Sequence, residues 1–167
     1  MNNKSFQSKQ NECTGSFIVE SPVKAVFFQL CPTREYDWVP GWSCNLIWSK
    51  SGFAEKGAIF TTAHKGIGKE TWVVSEYQPL KKIAFVRFSE SVVIRLSFEL
   101  KEKDGKTYGK LSQSKTSLNE AGDKYVDQLT DEANDYYIKA LITMLSYYLK
   151  TGDKISENEL KKHMHHQ

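Results

Sequence analysis

The sequence predicts an α+β protein: one strand, two short helices, six further strands and a long C-terminal helix, in that order. Two observations carry this. Over 127–151, Leu129, Ala133, Tyr136, Tyr137, Ala140, Met144, Leu145 and Tyr148 recur at three- and four-residue steps, so they share one face of a helix. Ahead of that helix lies a long stretch rich in β-branched and aromatic residues, cut by Gly, Pro and Asp-Gly. A helix with such a stripe must bury it against a broad apolar surface, and strands of this kind supply one.

Residues 1–11, rich in Asn, Ser, Gln and Lys, read as a mobile lead-in. A weak alternation marks a first strand over 16–20. Ser21 and Pro22 then serve as N-cap and first helical residue for 23–30, because a proline there loses no N–H that the helix would use. Pro32 opens a second helical turn through 37, and Pro40-Gly41 breaks it. Strands follow at 44–50, 58–63, 69–77, 82–88, 92–103 and 106–118. Gly66-Ile67-Gly68 reads as a hairpin turn, and Asp104-Gly105 suits the positive φ angles of a tight type I′ turn. Connections this short make neighbouring strands antiparallel. Val92, Ile94, Leu96, Phe98 and Leu100 alternate with Val93, Arg95, Ser97 and Glu99, giving one buried and one solvated face. At the long helix, Asp131 and Glu132 suit the first turn, Lys150 the last, and Gly152 the left-handed cap. Residues 153–167 are polar and read as a frayed tail, so a single domain covers 12–152.

A chain of 167 residues with 40% hydrophobic content supports one domain with a real core. The net charge of +3 is small, which speaks against nucleic acid as a partner. Cys13, Cys31 and Cys44 are odd in number and never spaced as CxxC, arguing for a reducing compartment rather than a disulfide framework. The polar residues 1–12 do not read as a secretory signal, and no stretch approaches the ~18 apolar residues of a membrane span. The expected location is cytoplasmic.

Several words of the sequence resemble the START-like superfamily, also called SRPBCC or helix-grip proteins. Ser21-Pro22-Val23-Lys24-Ala25-Val26-Phe27 resembles the family's junction between first strand and first helix. The run from Glu76 through Pro79 to Ile83 and Phe85 resembles the E-x-x-P-x-x-x-I-x-F hairpin of its activator-of-Hsp90-homologue and polyketide-cyclase-like branches. The resemblance spans about 14–151. It implies a curved seven-stranded antiparallel sheet gripping the last helix around a cavity for a small apolar or amphipathic molecule. It also leaves open a cyclase or aromatase-type enzyme using that cavity, and a co-chaperone-like protein-partner module. On the resemblance, Trp38, Trp42, Phe60, Trp72, Phe85, Arg87, Tyr136, Ala140 and Met144 would line the cavity.

Read by themselves, these residues keep alternatives. Tyr36, Trp38, Trp42 and Trp48 frame the Pro40-Gly41 break either as a gate at a cavity mouth or as a plug beneath the short helices. An inward Arg87 would mark a site for a carboxylate or enolate, with Glu70, Glu76, Glu90 or Glu99 as a pairing carboxylate; an outward one would be solvated. Alternation turns Arg95 outward. His64 lacks a Ser, Cys or Asp at a catalytic spacing, and His163, His165 and His166 lie in the tail, so no metal site and no cofactor are expected. The lysines at 101, 103, 106 and 110 alternate with acids and read as a solvated hairpin tip. A homodimer is left open.

Overall fold

The computed structural model of the chain describes residues 5–64 and 68–165. Strands β1 (Gln10–Val19), β2 (Cys44–Trp48), β3 (Ile59–His64), β4 (Gly68–Gln78), β5 (Lys82–Phe88), β6 (Val92–Lys103) and β7 (Lys106–Ser117) form one open sheet. Their order is β1-β7-β6-β5-β4-β3-β2, antiparallel at every pairing. From β2 to β7 each strand pairs with the next in sequence, as tight connections require. Asp104 and Gly105, at φ 52° and 72°, make the expected primed turn between β6 and β7.

The inner face of the sheet is set by period two. Val92, Ile94, Leu96, Phe98 and Leu100 are buried on β6, Ile83 and Phe85 on β5, Trp72 and Val74 on β4, and Phe17 and Val19 on β1. Two glycines are required for close approach. A Cβ at Gly109 would enter the Phe17 ring, and one at Gly15 would meet Ile138 of the long helix.

Helix α1 (Val23–Gln29) buries Val23, Val26 and Phe27 against this face. Its N-cap is Pro22, not Ser21, and no side chain within the turn caps it. The orphan N–H of Val23 instead donates to the Glu102 carboxylate of β6 at 2.9 Å. A single 3₁₀ turn, Glu35–Asp37, follows.

β1 is longer than expected and begins at Gln10. Residues 10–15 are too polar to show a buried alternation, but they complete the ladder with β7 from Gln10↔Thr116 onward. The long helix begins later than expected. Asn119 caps a separate helix, α2 (Glu120–Asp127), by accepting from Gly122 N–H at 3.1 Å. Thr130 then caps α3 (Asp131–Thr151), which ends on Gly152 at φ 77°.

The buried stripe of α3 is Asn134, Ile138, Leu141 and Leu145. The expected stripe was centred one flank away, so Ala133 and Tyr136 come out exposed, with Tyr136 at 61%. Asn134 misled the reading, because a buried amide looks polar in sequence. It accepts from Gln113 Nε2 at 2.6 Å, which ties helix to sheet.

The tail is not frayed across its described part. Ser156 and Glu159 form a capping box, with Ser156 Oγ donating to Glu159 Oε2 at 2.7 Å and Glu159 N–H donating back at 3.2 Å. It starts α4 (Glu157–His165), and Ile155 and Met164 are buried. Lys139 Nζ on α3 donates to the Met164 carbonyl. Among the described residues no helix is long and apolar enough to cross a membrane.

Candidate functional site

Register alone assembles the site. Phe60↔Trp72, Trp72↔Arg87, Arg87↔Ile94 and Ile94↔Lys115 are successive pairs, so one row runs across the inner face from β3 to β7. At one end of the row the rings interlock. Trp72 stacks on Phe60 at 5.2 Å and meets Phe85 edge-on at 5.9 Å and Trp42 edge-on at 6.2 Å. Its indole N–H donates to Thr62 Oγ1 at 2.8 Å.

Arg87 points inward, since it shares parity with the buried Ile83 and Phe85. Its guanidinium lies 4.7 Å from the Trp72 ring centre, and its Nε is 3.5 Å from the carboxylate of Glu70, whose side chain is 0% exposed. An aromatic face and a buried carboxylate together hold a charge that the interior would otherwise expel. A cation–π contact desolvated like this one contributes about 2 kcal/mol.

Beside this row is a cavity of about 130 Å³, lined by Arg87, Ile94, Gln113, Lys115, Leu129 and Tyr137, with Ala133 at its edge. Tyr137 keeps 41% of its surface accessible, and part of that surface lines the cavity. Burial raises its phenol above the usual range, against the pull of Arg87 and with the help of the Glu35 carboxyl. Glu35, in the 3₁₀ turn, is pushed up to about 8 by burial, with Arg87 opposing. Cys44 also feels that carboxyl, although burial is the main cause of its own raised thiol. Lys115 is lowered by burial and by Arg87, with Glu70 opposing. The cavity wall therefore presents mainly donors: the Arg87 guanidinium, the Lys115 side chain, the Gln113 amide and the Tyr137 phenol. It suits an oxygen-rich group on a ligand.

The sequence-derived residues distribute unevenly. Trp42, Phe60, Trp72, Phe85 and Arg87 pack together at the row, but of them only Arg87 lines the cavity. Ala140 and Met144 are half-buried on the α3 flank that also carries Tyr137. Trp38 is a plug, 0% exposed, with its indole N–H donating to the Gln29 carbonyl at 3.0 Å. Tyr136 is a correction: it sits opposite the buried stripe and faces solvent. Trp48 is half exposed on the edge strand, and Tyr36 pins the start of β2 by donating to the Cys44 carbonyl at 2.6 Å. Arg95 faces out as expected, and Glu76 pairs with Lys82 rather than with an arginine. The side chain of His64 and residue His166 lie outside the described residues.

Glu35, Lys115 and Gln113 were not foreseen. A glutamate in a Thr-Arg-Glu-Tyr-Asp turn reads as solvated, and a lysine in a strand of Ser, Gln and Thr shows no apolar parity. The one available signal was the two-residue step from Leu111 to Gln113 and Lys115. A larger hollow of about 1120 Å³ lies elsewhere on the sheet, among Ile18, Leu80, Lys101 and Tyr108. It is open to solvent and has no buried charge aimed into it, so the interior is the better site.

No protein-family model and no curated protein matches this sequence. Solved structures match its fold. Protein MLL2253 from Mesorhizobium loti superposes with a TM-score of 0.63 at 12% identity, over 86% of this chain and 99% of its own. CalU16 from Micromonospora echinospora gives 0.59 at 12% identity, over 95% of this chain and 89% of its own. DynU16, a protein of the dynemicin biosynthetic locus, gives 0.57 at 18% identity, over 85% of this chain and 48% of its own. This chain thus spans about half of DynU16. The α+β architecture, with its seven-stranded antiparallel sheet and long C-terminal helix, is the helix-grip fold.

Proposed function

We propose that this protein binds a small amphipathic molecule in the cavity between the sheet and α3. The ligand would be a single ring or short acyl chain bearing a carbonyl or carboxylate. The observation that carries this reading is the inward Arg87, held between Trp72 and Glu70 at the cavity wall. Size agrees, since a cavity of about 150 Å³ takes benzene and this one measures about 130 Å³. Removing a ring from water at roughly 25 cal/mol per Å², with one charge-assisted hydrogen bond, supports micromolar affinity, on the order of −8 kcal/mol. The three free, buried cysteines fit a reducing compartment.

A second reading is an enzyme acting in the same cavity. It is favoured by Glu35, a carboxyl pushed up to about 8 beside a buried arginine.

Titrating benzoate and benzyl alcohol against intrinsic Trp fluorescence tests the proposal. Both should bind wild type. Arg87→Lys keeps the charge beside Glu70 but loses the planar fork, so it should weaken benzoate about tenfold or more and leave benzyl alcohol nearly unchanged. No binding by either compound would move the reading to a protein-partner module, for which Leu46, Ile47 and Trp48 offer an exposed apolar surface on β2.

A further inference from the structure

We propose that Lys115 is a nucleophilic amine that forms an imine with a small aldehyde or ketone held in the cavity, while Arg87 holds the acidic end of the same molecule. The inference rests on the binding reading above and adds a covalent step to it.

Lys115 lies on the inner face of β7 and lines the cavity with Tyr137 and Leu129. It is two strands from Arg87 in the same row, with Ile94 between them. Two strand spacings are roughly 10 Å, and both side chains reach into one hollow, so a ring substituted at both ends spans the gap. A lysine kept from solvent is ordinarily paired with a carboxylate. Lys115 has no ion pair among the described residues, and the nearby Glu70 carboxylate is engaged by Arg87. Burial beside another cation is how a lysine is made neutral, and hence nucleophilic, near neutral pH. Both conditions act on Lys115, where burial and Arg87 each lower its proton affinity.

The chemistry balances within the cavity. The Nζ lone pair forms a C–N bond to the carbonyl carbon, and the C=O π pair moves to oxygen, which takes a proton from an acid in the cavity. Tyr137, whose phenol lines the cavity, is the available acid. The nitrogen gives up a proton in return. Loss of the hydroxyl as water then forms C=N, so one water leaves and nothing is oxidised or reduced.

The full chain would be incubated with 4-carboxybenzaldehyde and sodium cyanoborohydride, which reduces the imine to a stable secondary amine, and the adduct mapped by peptide mass spectrometry. The expected result is one adduct per chain at Lys115, forming faster than at any exposed lysine. It should be lost in Lys115→Met and suppressed in wild type by excess 4-(hydroxymethyl)benzoate, which has no carbonyl. That competition keeps the test valid if the variant fails to fold. Labelling spread over surface lysines, with Lys115 unmodified, would overturn the proposal. Fluorescence binding of 4-(hydroxymethyl)benzoate would then show whether the binding reading survives alone or fails with it.

Discussion

The two ends of the sheet's inner face are built from the same strands but treated oppositely. Toward the β6–β7 hairpin, Phe17, Val19, Phe98, Leu100 and Leu111 are all buried, with Val26 and Phe27 of α1 packed near them. The Phe17 ring lies directly against Gly109, so the space between those two strands is filled there. Toward the other end the same parity places Arg87, Gln113 and Lys115 around a hollow, with Tyr137 contributed by α3. The helices explain the difference. α1 packs over β6 and β7, whereas α3 runs nearest β1 and sets only one flank, with Ala133 and Tyr137, beside the opening. The small Ala133 on that flank leaves room that a leucine would fill. The lesson is that one alternating strand can be core at one end and site at the other.

The sharpest way to break this comparison is at the polar end. Arg87→Met should remove one partner of a buried pair and leave Glu70 in place, costing about 3–5 kcal/mol in urea unfolding. A change below 1 kcal/mol would mean that water reaches Glu70 freely and that the polar end is not an interior.

The next effect contrasts two positions on β7. Leu111 is 0% exposed, so Leu111→Ala should cost about 2–5 kcal/mol, while Lys115→Ala should cost under about 1 kcal/mol because a cavity already adjoins it. Equal losses at the two positions would erase the distinction between filled and hollow ends.

The smallest effect is one of pH. Glu35 rises in the fold from 4.5 to about 8, so between those values the folded chain holds a proton that the unfolded chain has released. The stability this contributes is fully present below about 4.5 and is lost as pH rises toward 8. Arg87, Tyr137 and Cys44 are the groups that share its field. Wild type should therefore lose a few degrees of Tm more than Glu35→Gln between pH 5 and 8.5, measured by thermal circular dichroism. Parallel profiles would place the Glu35 carboxyl in bulk solvent.

Much of the fold was legible because it rests on local rules. β5 and β6 were bounded correctly by their apolar alternation, and the Asp104-Gly105 turn by its backbone demand. The capping box at Ser156 and Glu159 was equally legible and marks a helix where a frayed tail was expected. The site was legible only in part. Trp72, Phe60 and Phe85 could be picked out as large rings inside apolar strands, although Trp48 on the edge strand and Phe88 at the end of β5 stay exposed. Arg87 could be named but not oriented.

The sequence by itself determined the order of the strands, the antiparallel pairing and the inner row of β6, because hydrophobic period and turn chemistry act over a few residues. Tertiary structure alone decided that Arg87 faces inward onto Trp72 and Glu70, that α3 turns Asn134 to the sheet and Tyr137 to the cavity, that Lys115 meets Arg87 at one hollow, and that Glu35 comes within the field of Arg87. The physical reason is distance along the chain. Residues 35, 70, 87, 115 and 137 lie on five different elements, and no local pattern records which of them will share a low-dielectric space once the sheet and helices have closed around it.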